Sequence, residues 1–210
     1  MQQDKILSAV SAYYGEKIQT HGATARGVDW SSTESQTTRF GELLRVCDRS
    51  ARFSLNDYGC GYGGLHDYIV SEGIDCDYVG FDVAPPMLAE ARRLHPALPP
   101  SAFVGDRAAL APADYTVASG VFNVKLATPV ADWQRYVLDG IAELARFSRK
   151  GFAFNMLTSY SDPDRMRPDL YYGDPSFYFD HCKRTYSRWV ALLHDYGLYE
   201  FTMIVRTENP

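Results

Sequence analysis

Three carboxylates stand at the ends of successive strand-like segments: Asp57 in "FSLNDY", Asp82 in "YVGFD" and Asp106 in "FVGD". Between the first two lies Gly59-Cys60-Gly61-Tyr62-Gly63-Gly64, which satisfies G-x-G-x-x-G. Residues without a Cβ let backbone come close to a ligand there, just before a helix begins. Two kinds of ligand fit such a loop. A nicotinamide dinucleotide would lay its diphosphate on the helix start. Asp57, however, sits two places before the first glycine, where a carboxylate repels a diphosphate and accepts from an ammonium group. Asp82 can grip both hydroxyls of a ribose, a feature shared by both ligands. Asp106 offers an acceptor for the exocyclic amine of an adenine, a residue that nicotinamide sites do not need. The set suits an adenosine joined to a zwitterionic amino-acid tail, that is S-adenosylmethionine. An NAD-dependent oxidoreductase is the rival reading of the loop, and a non-catalytic adenosine-binding partner protein is the third.

These groups need a scaffold, and the chain alternates strand and helix patterns. Residues 53–58, 76–83, 101–106, 113–122 and 151–158 read as strands. Residues 64–73, stopped by Gly73, 86–95 behind Pro85-Pro86, and 132–148 read as helices. The last of these carries apolar residues at 133, 137, 138, 141, 144 and 145, a helical stripe. The rhythm predicts an α/β fold. It is a single doubly wound, mostly parallel sheet with helices on both faces and an antiparallel strand at the C-terminal edge. Ligands of such sheets bind past the carboxyl ends of the strands, which is where the glycine loop lies. The expected organisation is one domain: a helical lid over 1–50, a core over 51–158, a turn-rich insertion over 159–181, and a helix ("CKRTYSRWVALLHDYG") and strand ("YEFTMIVR") over 182–210.

In order and spacing, "LNDYGCGYG", "YVGFD", "FVGD" and "YTVASGVFN" resemble the successive cofactor motifs of class I S-adenosylmethionine-dependent methyltransferases, over about residues 20 to 158. The resemblance implies that Gly59 and Gly61 admit the methionine portion and that Asp57 lies near its amino group. It implies that Asp82 binds the ribose, that Val83 and Met87 pack on the adenine, and that Asp106 after Gly105 accepts from the adenine amine. The backbone at Gly120 and Val121 would pass beside the sulfonium. Upstream, "HGATARGVDWSSTESQTTRF" is similar to the cofactor lid of the small-molecule members, with Trp30, Gln36 and Arg39 at the matching places. A guanidinium fork takes a carboxylate in two parallel hydrogen bonds, so Arg39 is the candidate for the methionine carboxylate. The family pattern closes on a reversed pair of strands, of which only "YEFTMIVR" is evident. The other is either missing or supplied by "SFYFD".

The acceptor is less legible. Net charge is −5 over 210 residues, and Arg92-Arg93 and Arg165/Arg167 are isolated pairs, so a nucleic-acid partner is not expected. No window holds the roughly 18 apolar residues of a membrane span, and the N-terminus lacks a secretory pattern. Cys47, Cys60, Cys76 and Cys182 are scattered, which implies no disulfide framework and no metal site and fits the cytoplasm, as a monomer or homodimer. A small-molecule acceptor is expected, and "SGVFNVK" after the fourth strand leaves oxygen, nitrogen and carbon nucleophiles open. Its pocket is expected from Tyr14, Tyr172 and His181 as catalytic candidates, with Tyr13, His21 and Tyr171 beside them. Asn123, Lys125 and Asn155 come from the strand ends.

Overall fold

The protein is described by a computed structural model covering residues 2–30 and 32–207. Seven strands make one sheet: β1 (Phe53–Tyr58), β2 (Cys76–Phe81), β3 (Phe103–Val104), β4 (Ala113–Ala118), β5 (Ser148–Leu157), β6 (Trp189–Leu193) and β7 (Glu200–Arg206). Their order is 3-2-1-4-5-7-6. β1 pairs in parallel with β2 on one side and β4 on the other, so the strand order switches at β1, and a crevice opens there beyond the carboxyl ends. β7 runs antiparallel to both β5 and β6, one place in from the edge.

Six helices cover the sheet: α1 (Gln2–His21), α2 (Thr33–Leu43), α3 (Gly64–Ser71), α4 (Pro85–Leu94), α5 (Val130–Arg146) and α6 (Pro175–Thr185). Side chains alternate along the central strands. Phe152, Phe154 and Met156 of β5 pack with Trp133, Val137, Ile141 and Leu144 of α5, while Ala153 faces Phe40, Leu43, Leu65 and Ile69 of α2 and α3. The four α5 residues are fully buried, each contributing about 1.5–3 kcal/mol. α1 lies across α4, where Gly15 faces Pro86 and Ser11 Oγ donates to Val83 O at 3.2 Å. It thereby roofs the crevice. Among the described residues, no helix is long and apolar enough to cross a membrane.

The C-terminal third departs from expectation. Residues 182–197 are not one helix. α6 begins earlier, at Pro175, with Asp174 accepting from Ser176 N as its cap, and it ends at Thr185. "WVALL" is instead β6, paired with β7 from Trp189↔Arg206 to Leu193↔Thr202. A short apolar run is ambiguous between helix and strand, and the free edge of β7 decides it. The reversed strand pair is therefore complete, and "SFYFD" lies in α6 rather than supplying a strand. β3 is only two residues long, so Gly105 and Asp106 fall past its end.

Candidate active site

A cavity of about 880 Å³, its mouth included, opens past β1 and β4 beneath α1. It gathers Tyr14, Trp30, Gln36, Asp57, Gly59, Gly61, Asp82, Val83, Met87, Gly120 and Val121. The glycine loop forms its floor. Gly59 and Gly61 have φ of 85° and 54°, and Gly59 N donates to Phe81 O at 2.7 Å. A Cβ on Gly59 would stand 2.4 Å from Val121 Cγ2, so the two chain segments approach this closely only without one. Asp82 ties the loop to the end of β2: its Oδ2 accepts from Gly61 N at 2.8 Å and its Oδ1 from Ala84 N at 2.8 Å.

Asp57 is buried and Asp82 half-buried. Burial pushes Asp57 up to about 7, against the pull of the Tyr78 hydroxyl, which donates to it at 2.8 Å, and with a further push from Asp82. Burial also raises Asp82, with the Ala84 and Gly61 amides pulling the other way. No lysine or arginine lines this cavity among the described residues. A buried and a half-buried carboxylate without a basic partner favour a ligand that brings positive charge and disfavour a diphosphate. A sulfonium-bearing amino-acid adenosine fits that donor set and the Cβ-free cradle at Gly59.

Eight expected residues lie outside this cavity. Arg39 closes its fork on the chain itself. Nε donates to Glu200 Oε2 at 2.8 Å, Nη2 to Glu200 Oε1 at 2.6 Å, and Nη1 to Ser35 O at 2.6 Å. Its guanidinium also stacks 3.9 Å over Trp30. The carboxylate it holds is that of Glu200, which no local motif could announce. Asp106 is exposed and caps a short turn, accepting from Ala108 N at 2.8 Å. With Gly105 it lies outside the cavity because β3 stops at Val104. Tyr172 accepts from Arg167 N at 2.9 Å within its own loop. His181 sits on α6 between Phe177 and Tyr186, and burial lowers its pKa. Neither lines the crevice: Tyr172 is tied into the loop before α6, and α6, which carries His181, packs over β6 and β7. Tyr171 is likewise core, bonded to Tyr178 through the two hydroxyls at 2.8 Å. Tyr13 donates to Asp29 at 2.8 Å, and His21 is exposed at the end of α1. Tyr14 alone of the three catalytic candidates lines the cavity.

A second cavity of about 550 Å³ adjoins the first, sharing Tyr14, Val28, Trp30 and Gly120. Its remaining wall includes Asp29, Arg39, Asn123, Leu157, Arg167 and Glu200. Asn155, fully buried, donates to Glu200 Oε2 at 2.8 Å and accepts from Gly120 N at 2.7 Å. A chain of hydrogen bonds therefore runs from Arg39 through Glu200 and Asn155 to the backbone between the two cavities. Asn123 accepts from Leu157 N at 3.0 Å, and its Nδ2 is buried with no protein partner. Lys125 turns to Leu126 O and lines neither cavity. Glu200, Arg167 and Asp29 escaped the sequence reading. A glutamate heading the apolar run "EFTMIVR" was the available signal, since an unpaired buried carboxylate is rare.

Comparison with known proteins agrees with this geometry. Residues 56–154 match the family described as Methyltransferase domain. A Mycobacterium tuberculosis (strain ATCC 25618 / H37Rv) protein, Rv1506c, whose name assigns it provisionally to the methyltransferases, is 48% identical over 163 residues, 78% of this chain and 98% of that protein. Magnesium protoporphyrin IX methyltransferase (ChlM) from Synechocystis PCC 6803, with bound SAH, superposes with a TM-score of 0.58 at 14% identity, over 83% of this chain and 84% of that one. The small RNA methyltransferase HEN1 gives a TM-score of 0.60 at 17% identity, over 84% of this chain and 25% of that one. At such identities the two structures attest the fold.

Proposed function

Because the chain belongs to the class I S-adenosylmethionine-dependent methyltransferases, we propose that it methylates a small molecule seated in the second cavity. The cofactor, when bound, supplies a methyl group already activated on a sulfonium. The protein's part is placement, since holding nucleophile and methyl carbon in line accounts for much of the rate. In this reading Asp57 holds the cofactor's amino group and Asp82 its ribose. Gly59 and Gly61 admit the methionine portion, Val83 and Met87 pack on the adenine, and Gly120 and Val121 flank the sulfonium, with Trp30 and Gln36 closing the near side. An oxygen, nitrogen or carbon nucleophile then approaches from the second cavity.

The observation that carries this reading is the shared wall: Tyr14, Val28, Trp30 and Gly120 belong to both cavities. Burial raises the Tyr14 hydroxyl far above its ordinary range, so it stays neutral and orients the nucleophile as a donor rather than serving as a base. Asn123 Nδ2 is a second donor for an oxygen of the acceptor. Small size follows from the cavity volume and from charge. Around the second cavity Arg167 is paired with Asp169, Arg39 with Glu200 and Lys17 with Asp29, which leaves no basic face for an RNA backbone.

The test is a methyl-transfer screen across phenols, carboxylic acids, amines and acidic carbon compounds, with RNA in parallel. Asn123→Ala should raise the KM for the small acceptor while S-adenosylhomocysteine affinity by calorimetry stays unchanged. Transfer to RNA with none to any small molecule would overturn the acceptor assignment.

A further inference from the structure

Outside both cavities, the start of α3 meets the end of α4 at three ligand-type side chains. His66 and Asp67 belong to the first turn of α3, and His95 follows the last residue of α4. One ligand atom from each lies within 4.8 Å of the others. His95 Nδ1 stands 3.6 Å from Asp67 Oδ1, too far for a hydrogen bond and close to the roughly 3.3 Å between neighbouring ligands of a tetrahedral zinc. The His66 and His95 rings meet edge to face with centroids 4.8 Å apart.

Polar satisfaction is the independent observation. His66 Nδ1 and His95 Nε2 are both buried without a hydrogen-bond partner, and the His95 side chain is only 7% exposed. Buried imidazole nitrogens ordinarily have a partner, so unpartnered ones on two rings packed edge to face ask for a ligand; an ion facing Asp67 would take His95 through Nδ1 and satisfy the orphan Nδ1 of His66. We propose that His66, Asp67 and His95 bind a divalent transition-metal ion, with Zn²⁺ the best chemical match, and so clasp α3 to the end of α4 behind the glycine loop.

Two imidazoles and a carboxylate form an N,N,O set that suits zinc, with a water in the fourth place, whereas calcium and magnesium prefer oxygen ligands throughout. The Asp67 side chain is 62% exposed, which gives the ion an entry from solvent and leaves the carboxylate free to close on it. The clasp bears on the loop directly. A Cβ on Gly63 would stand 2.7 Å from His95 Nε2, and Gly63 O accepts from His66 N at 3.0 Å and Asp67 N at 3.3 Å. None of the three side chains lines either of the two cavities, so the ion stabilises the loop and takes no part in methyl transfer.

The full chain, stripped with a chelator, is titrated with Zn²⁺ by calorimetry and thermal shift beside His66→Gln, Asp67→Asn and His95→Gln. S-adenosylhomocysteine binding without zinc serves as the check that each variant folds. The expected result is one ion per chain with a raised Tm, and an affinity at least about tenfold weaker in His66→Gln and Asp67→Asn. Should His95→Gln fail to fold, those two variants decide the matter. The proposal is overturned if the wild-type chain shows no saturable one-to-one binding, or if both variants bind Zn²⁺ as tightly as wild type.

Discussion

The buried pair of Arg39 and Glu200 offers the sharpest test of how this site is held. Their side chains are 7% and 1% exposed, and the fork contacts both carboxylate oxygens. In Glu200→Gln the shape is kept, but the guanidinium loses its counter-charge and meets an amide NH₂ at one of its two contacts. Removing one partner of a buried pair costs about 3–5 kcal/mol. In a domain of this size each kcal/mol lowers Tm by about 2–4 °C, so a fall of about 6–20 °C is expected. The double variant Arg39→Met/Glu200→Leu replaces the pair with apolar groups of similar volume and should recover most of that loss. What it does not recover is the Asn155 Nδ2 bond, whose absence costs about 1–3 kcal/mol. Urea unfolding of the four proteins in the cycle should give a coupling energy of at least about 2 kcal/mol. A Glu200→Gln cost below about 1 kcal/mol, or strictly additive effects, would refute the reasoning. Cofactor affinity adds a second readout. If the double variant folds well yet no longer binds S-adenosylhomocysteine, then Arg39 grips the cofactor rather than Glu200.

Other outcomes follow from the same geometry. Asp57 titrates near 7 in the folded chain but near about 3.9 when unfolded, so the folded state binds the extra proton. Stability of the cofactor-free chain should therefore fall as pH rises from about 4 to about 7, and Asp57→Asn should remove that slope, as followed by thermal unfolding across pH. An ammonium ligand needs the ionised carboxylate, so S-adenosylhomocysteine affinity should drop by up to about tenfold per pH unit below about 7. Affinity flat across this range in calorimetry would contradict the assignment. In Gly120→Ala the new Cβ would stand 2.3 Å from Trp30 Cζ2 at a backbone φ of 70°. Overpacking of about 1–3 kcal/mol and a left-handed penalty of about 1–2 kcal/mol should together destabilise the fold by about 2–5 kcal/mol in urea. Tyr14→Phe should lower kcat while the fold and cofactor affinity hold, whereas Tyr172→Phe and His181→Gln should leave turnover unchanged. The reverse ranking would move the acceptor to the α6 side.

Much of the crevice past β1 was written locally. Asp82 reaches Gly61 only 21 positions back in the chain, and Tyr78 lies equally near Asp57 in sequence. Loop, strand end and carboxylate there belong to one β-loop-helix-β unit, whose glycines and apolar periodicities are visible as text. The α5 stripe and the strand–helix alternation of a mostly parallel sheet were legible for the same reason. Arg39 and Glu200, by contrast, are 161 positions apart, and the carboxylate that an arginine fork meets depends on which strand is laid beside its helix. The residues 189–193 carried a pattern that either a helix or a strand could satisfy, and the unpaired hydrogen-bonding edge of β7 chose the strand. With that edge built and α6 packed against it, Tyr172 and His181 were carried away from the crevice. The second cavity exists only because residues near 28, 123, 157, 167 and 200 converge. Local sequence determines conformations whose hydrogen bonds and periodicities close within a few turns. The pairing of distant charges and the shape of a cavity between segments are set by the register and packing of the whole sheet.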